Sequence, residues 1–152
     1  SGLVVAFLIL LVIILIGILF DIIGMAVASA DEKPFHSMAA RKVPGAQEAI
    51  ALLRNAERVS SICNDVVGDI CGVVAGSASA TVAVQLIQKF SFSWPALISL
   101  VLSALVAGLT VGGKAIGKTV AVHSCIEIVH FAGKFIYYLR NLKMLFRCKQ
   151  KR

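Results

Sequence analysis

The chain has 152 residues, of which 59% are apolar and only 15% are charged, and its mean hydropathy is +0.90. Soluble globular domains carry about 45–50% apolar and about 25% charged residues, so the composition excludes a soluble fold, a disordered chain and a collagen, and predicts an integral membrane protein. The net charge of +7 comes from 15 basic and 8 acidic residues, and in a membrane protein its meaning depends on where the basic residues lie.

The first predicted span covers residues 3–30. An uncharged apolar run from Leu3 to Phe20 resumes after Asp21, and about 20 such residues cross a bilayer as a helix. The ending Ala28-Ser29-Ala30 also fits a signal peptide, but the run is far longer than the apolar core of about 7–15 residues that signal peptides have.

Residues 31–58 differ sharply from the span before them, because they are rich in charge and are divided by Pro34 and by the Pro44-Gly45 pair. Residues 46–58 follow the 3.6-residue period of an amphipathic helix. The pattern predicts a helical hairpin outside the membrane or at its surface.

The second predicted span, residues 59–87, has small residues at every fourth position, namely Gly68, Gly72, Gly76 and Ala80. This spacing lets helix backbones approach closely in a membrane. The following outer turn, residues 88–95, contains the aromatic residues that anchor spans at an interface.

A third uncharged span is predicted at residues 96–113, followed by a basic amphipathic helix at 117–146. A fourth span within residues 120–146 is the alternative, but its polar stripe of His123, Glu127, His130 and Lys134 would face lipid. The predicted fold class is an all-α integral membrane protein with three transmembrane helices, a cytoplasmic helical hairpin between the first two and an amphipathic juxtamembrane helix after the third. The chain is thus expected to form one transmembrane domain, residues 1–152, with span one at 3–30, the hairpin at 31–58, span two at 59–87, the outer turn at 88–95, span three at 96–113, the juxtamembrane helix at 117–146 and a basic tail at 147–152.

The basic residues predict the orientation of the chain in a cell membrane. Residues 31–58 contain five, residues 88–95 contain one, and the segment after Gly113 contains nine. Because cytoplasmic segments carry the excess of Lys and Arg, the N-terminus is expected outside and the C-terminus in the cytoplasm. The excess of basic residues therefore predicts the topology of the chain and contact between the basic helix and anionic lipids of the inner leaflet. It does not indicate nucleic-acid binding.

The candidate site consists of polar residues inside the spans, where a central carboxylate costs about 2.5–3.5 kcal/mol. Asp65 and Asp69 share one face of span two, and Asp21 lies at a similar depth in span one. Two interpretations stay open. The first is a cation or proton site, since carboxylate, hydroxyl and amide oxygens suit a hard ion such as Mg²⁺ or Na⁺. The second is that the acids pair with a gating or charge-compensating lysine, Lys114 or Lys118. The candidate ion-binding residues are Asp21, Ser61, Asn64, Asp65 and Asp69.

Three other patterns are weaker. Residues 112–119 match the P-loop pattern letter for letter, but a membrane run precedes them and no parallel sheet can be built around them. His123, Glu127 and His130 fit a solvated helix face better than a metal site. The four cysteines are expected to be free thiols, and no arrangement of nucleophile and base indicates an enzyme.

The order of these parts resembles the transmembrane domain of the CorC/cyclin M (CNNM) magnesium-transporter family. Three segments carry the likeness: residues 20–29, residues 55–61 (Asn-Ala-Glu-Arg-Val-Ser-Ser) and residues 113–121 (Gly-Lys-Ala-Ile-Gly-Lys-Thr-Val-Ala). The resemblance implies three spans, a cytoplasmic hairpin and a basic juxtamembrane helix.

The same resemblance also implies an altered ion site. The family's cation-binding serine in span one falls on Asp21 and its glutamate on Gly24, whereas Ser61 matches the serine of span two. The asparagine pair that follows that serine is missing. Lys114 stands where the family has the glutamate before its Pro-Lys motif, and Gly117 stands where the family has the proline of that motif.

Two functions are therefore expected. The first is a homodimeric transporter for an inorganic cation, either divalent and Mg-like or coupled to Na⁺ or protons. The second is a non-transporting membrane scaffold or regulatory subunit that binds a cytoplasmic protein partner or anionic lipid. An ion or water cluster within reach of Asp21, Asp65 and Asp69 would favour transport, and a direct contact between Lys114 and an aspartate would favour the scaffold.

Overall fold

The structure is a computed structural model that describes residues 2–90 and 93–149, and of residues 144–149 only the backbone. Apart from short turns, the described residues are helical, and they include no strand. The helices are α1 (Gly2–Ser29), α2 (Lys33–Ala40), α3 (Ala46–Arg54), α4 (Ala56–Ser61), a π-helical turn (Ile62–Val67), α5 (Gly68–Phe90), α6 (Pro95–His123) and α7 (Cys125–Lys149). Three stretches within the described residues are long and apolar enough to cross a membrane: Gly2–Ser29, Ala56–Phe90 and Pro95–His123. The all-helical fold and the three candidate spans are confirmed.

The third long helix differs from its prediction. The sequence suggested an end at 113 and a new helix at 117, but α6 continues to His123 and α7 begins only at Cys125. The glycines between these positions serve a helix contact instead of a break. A Cβ atom added to Gly113 would lie 2.5 Å from the Ile18 Cδ1 atom, and one added to Gly117 would lie 2.8 Å from the Ile22 Cγ1 atom. These two glycines let α6 approach α1 closely.

The three long helices form a bundle in which α1 contacts both α5 and α6; α5 runs antiparallel to α1, and α6 runs parallel to it. Leu10 and Ile14 of α1 are buried against Ala75 of α5. Many large apolar side chains of the three long helices are exposed. Exposed apolar surface around a bundle is what a lipid environment requires.

A second core lies at the end of the bundle that carries α2 and α3, which we call the hairpin end. It joins the end of α1, the hairpin, the end of α6 and α7 through the buried residues Ala26, Val27, Phe35, Ala49, Leu53, Ala121 and Val129. The hairpin docks on α7 through two glycines. Gly45 has a positive φ of 85°, and an added Cβ atom there would lie 2.5 Å from the Lys134 backbone nitrogen. Gly133 faces it so closely that its own Cβ atom would collide with the Gly45 carbonyl oxygen.

The lengths of the helices locate the candidate site along the bundle. At about 1.5 Å per residue, Asp21 lies about 29 Å from Gly2, Lys114 about 29 Å from Pro95, and Asp69 about 32 Å from Phe90. The hydrocarbon core of a bilayer is about 30 Å thick. All three groups therefore lie near the boundary between the apolar bundle and the core at the hairpin end.

Candidate functional site

The centre of the site is an ion pair between span one and span three. Asp21 of α1 is only 6% exposed, and its Oδ1 atom lies 3.7 Å from the Nζ atom of Lys114 on α6. The side chain of Lys114 is 25% exposed. A carboxylate buried at this depth is costly unless an opposite charge accompanies it, and Lys114 supplies that charge from within the chain.

Gly68 on α5 makes room for this pair. A Cβ atom added to Gly68 would lie 3.1 Å from the Lys114 Nζ atom and 3.9 Å from the Asp21 Oδ1 atom. All three long helices thus contribute to the site, and the contribution of α5 is the absence of a side chain. The sequence signal for Gly68 was its place in the series of small residues, which predicted helix contact but not contact with a charge.

Asn64 lies in the π-helical turn Ile62–Val67 and faces Gly24, which is three residues beyond Asp21 on α1. Its Nδ2 atom donates a hydrogen bond to the Ser60 Oγ atom at 3.2 Å. Its Oδ1 atom packs directly against Gly24 and, alone among the buried side-chain oxygens and nitrogens of the described residues, has no hydrogen-bond partner. Single π-helical turns are frequent at functional sites, and an unpaired buried carbonyl costs about 1–3 kcal/mol.

The other predicted site residues lie elsewhere on span two. Ser61, Asp65 and Asp69 are exposed, and so is Lys118 on α6. The side of span two that faces α1 and α6 instead carries Asn64, Gly68 and Ala75. Asp65 and Asp69 are exposed because another face of span two, which carries Asn64 and Gly68, packs against α1 and α6.

The structure therefore separates the three carboxylates that were expected to share one site. Asp21 is buried with Lys114, whereas Asp65 and Asp69 are on the outer surface. Among the side chains of residues 2–90 and 93–143, no group of three or more His, Cys, Asp or Glu residues is placed to hold a metal ion.

The structure also shows where the residues of the three weaker patterns lie. The P-loop-like residues 112–119 lie inside α6, where backbone N–H groups are used by helical hydrogen bonds and cannot cradle a phosphate. His123 ends α6, whereas Glu127 and His130 belong to α7, so the predicted stripe is split between two helices. The His130 Nε2 atom lies 3.3 Å from the Pro44 carbonyl oxygen, where it contributes to hairpin docking.

Cys63, Cys71 and Cys125 are free thiols, as predicted, and the side chain of Cys148 lies outside the described residues.

The composition and the three helices that are long and apolar enough to cross a membrane fit a multi-pass α-helical membrane protein. The chain matches no protein-family model, no curated protein and no solved structure.

Proposed function

We propose that this chain is a non-transporting membrane scaffold or regulatory subunit with a fold like that of the CorC/cyclin M transmembrane domain. The observation that carries the proposal is the contact between Lys114 and Asp21. The ammonium group lies 3.7 Å from the buried carboxylate, so Lys114 supplies the positive charge that a buried carboxylate requires. The chain thus neutralises its own buried acid without a diffusible ion.

The hairpin end supplies the surfaces for such a role. The hairpin, α7 and the inner ends of α1 and α6 share one apolar core, so this end is a packed unit and not a set of loose connections. Its exposed basic residues include Arg41, Lys42, Arg54 and Arg58. By the positive-inside rule this end is in the cytoplasm, where a protein partner or the anionic inner leaflet of the cell membrane would meet it.

A homodimer forms part of the proposal. Gly72 and Gly76 on α5 have open space around them, with no atom within 4 Å of an added Cβ atom. They continue the exposed side of span two that carries Asp69. Small residues of this kind allow two membrane helices to pack closely, and a second copy on this side would remove Asp69 from contact with lipid. Gly76→Leu should therefore lower the dimer fraction measured by multi-angle light scattering in detergent, and an unchanged dimer fraction would contradict this face.

The proposal is tested by ion binding and flux on the purified full chain. A ligand that binds only the folded state raises apparent stability, so thermal unfolding in detergent is compared in Mg²⁺, Mn²⁺, Ca²⁺ and Na⁺ at constant ionic strength. We expect no ion-specific change in Tm and no flux of these ions into proteoliposomes. A saturable rise in Tm with one ion, together with flux of that ion, would overturn the scaffold proposal.

The second candidate function is transport of an inorganic cation, either divalent or Na⁺ or proton coupled. The observation that favours it is the unpaired Asn64 Oδ1 atom in the π-helical turn, which faces Gly24 three residues beyond Asp21 on α1. This function requires Lys114 to leave Asp21 during the cycle, so that Mg²⁺ or Na⁺ could take its place.

Carboxamide variants distinguish the two functions. Asp21→Asn should abolish flux in a transporter, and Asp65→Asn and Asp69→Asn should reduce it if these acids also line the path. Asp31→Asn is the matched control, because Asp31 is exposed and lies outside the spans. Flux that is present in the unaltered chain and equal in all four variants would contradict transport through these residues.

A further inference from the structure

The helix α7 has an exposed apolar stripe on the side away from the hairpin. Val129 and Gly133 of α7 are buried, and Gly133 touches α3. The opposite side presents large apolar side chains at helical spacing. Their exposed fractions are 71% for Phe131, 59% for Phe135, 54% for Tyr138 and 51% for Leu142.

This spacing of four, three and four residues places the four side chains along one line of the helix. Soluble surfaces seldom expose a contiguous apolar strip with three aromatic rings, and such a strip marks a contact surface. We call these four residues the aromatic stripe.

The charges beside the aromatic stripe indicate what covers it. Lys134 and Lys143 are both exposed and lie on the two flanks of the stripe at the helical angle of about 100° per residue. Aromatic rings with flanking lysines fit a helix that lies in the plane of an interface, with the rings below the headgroups and the ammonium groups among lipid phosphates.

The connection to α6 places α7 at the right depth. Ser124 is the only residue between the two helices. At about 1.5 Å per residue, α6 is about 42 Å long, which equals the thickness of a bilayer with its headgroups, about 40–45 Å. The chain therefore enters α7 at the level of the headgroups.

We propose that the aromatic stripe of α7 inserts into the anionic surface of the membrane that the three spans cross. The rings of Phe131, Phe135 and Tyr138 enter the boundary between headgroups and acyl chains. The lysines bind lipid phosphates, and the opposite side of α7 holds the hairpin. This inference deepens the proposed function, because it assigns α7 to lipid and leaves the hairpin for a protein partner.

Site-directed spin labelling of the full chain in nanodiscs tests the proposal. Each stripe residue is replaced singly by cysteine in a variant whose own cysteines are changed to serine, after its Tm has been checked against the unaltered chain. Gln47 on α3 and Arg140 on α7, both exposed, are the matched control positions. Power saturation then compares oxygen, which partitions into lipid, with a nickel chelate, which stays in water.

We expect collision with oxygen to exceed collision with nickel at all four stripe positions, and the order to be inverted at Gln47 and Arg140. Adding anionic phosphatidylglycerol to phosphatidylcholine discs should increase the oxygen-to-nickel ratio at the stripe. An unchanged ratio would overturn the anionic part of the proposal.

Two results would overturn membrane insertion itself. Higher nickel collision at the stripe would show that it faces water. Low collision with both reagents, with dipolar broadening that disappears on dilution with unlabelled chain, would show that a second copy covers it. None of these readouts depends on ion transport, so a failure of this proposal is distinguishable from a failure of the proposed function.

Discussion

Replacing Lys114 with methionine should destabilise the chain far more than the same replacement at Lys118, one turn further along α6. Methionine keeps most of the length of lysine but removes the ammonium group, so Asp21 remains 6% exposed without a counter-charge. Lys118 is exposed, which makes it a matched control on the same helix.

The size of the effect follows from the geometry of the pair. Removing one partner of a buried ion pair costs about 3–5 kcal/mol. The Lys114 side chain is 25% exposed and its 3.7 Å contact with Asp21 is too long for a hydrogen bond, so we expect a loss somewhat below that range, about 2–3 kcal/mol. For a chain of this length that corresponds to a fall in Tm of about 5–10 °C, whereas Lys118→Met should stay within about 0.5 kcal/mol of the unaltered chain.

A double-mutant cycle separates the ion pair from the loss of packing. Asp21→Asn removes the uncompensated charge, so Asp21→Asn/Lys114→Met should lose less stability than the sum of the two single variants. The assay is thermal unfolding in one detergent at one protein concentration. Additive losses in the cycle, or equal Tm values for Lys114→Met and Lys118→Met, would refute the reasoning that Lys114 neutralises a buried carboxylate.

Three further substitutions test the packing around the site, each measured by thermal unfolding against Gly108→Ala, whose added methyl group meets no atom within 4 Å. Phe35→Ala should cost about 3–5 kcal/mol because Phe35 is fully buried in the core at the hairpin end, and a loss below about 1 kcal/mol would contradict that core. Gly133→Ala should cost about 1–3 kcal/mol, since its methyl group would collide with the hairpin backbone; a Tm equal to that of the control would show that the hairpin does not dock there. Gly24→Ala should also cost about 1–3 kcal/mol because it displaces the Asn64 side chain, and a neutral result would place Asn64 away from α1.

Several features of the fold could be predicted because they depend on local pattern. The uncharged run before Asp21 and the uncharged run at residues 96–113 each specify a long apolar helix. The Pro44-Gly45 pair marks the turn of the hairpin, where the structure has a glycine with positive φ. The boundary between α6 and α7 was harder to predict, because a glycine such as Gly113 or Gly117 can either end a helix or let a neighbouring helix approach closely.

By itself the sequence determined the class of this protein, the positions of three apolar spans and the set of polar residues within them, because hydrophobicity and helical period are properties of a single segment. Only the tertiary structure decided which of those polar residues meet. It paired Asp21 with Lys114, 93 positions apart in the chain, beside Gly68, and it left Asp65 and Asp69 on the outer surface. The physical reason is that the rotation of a helix about its axis depends on close packing with its neighbours, here through Gly24 and Gly68, and no pattern within one helix specifies that rotation.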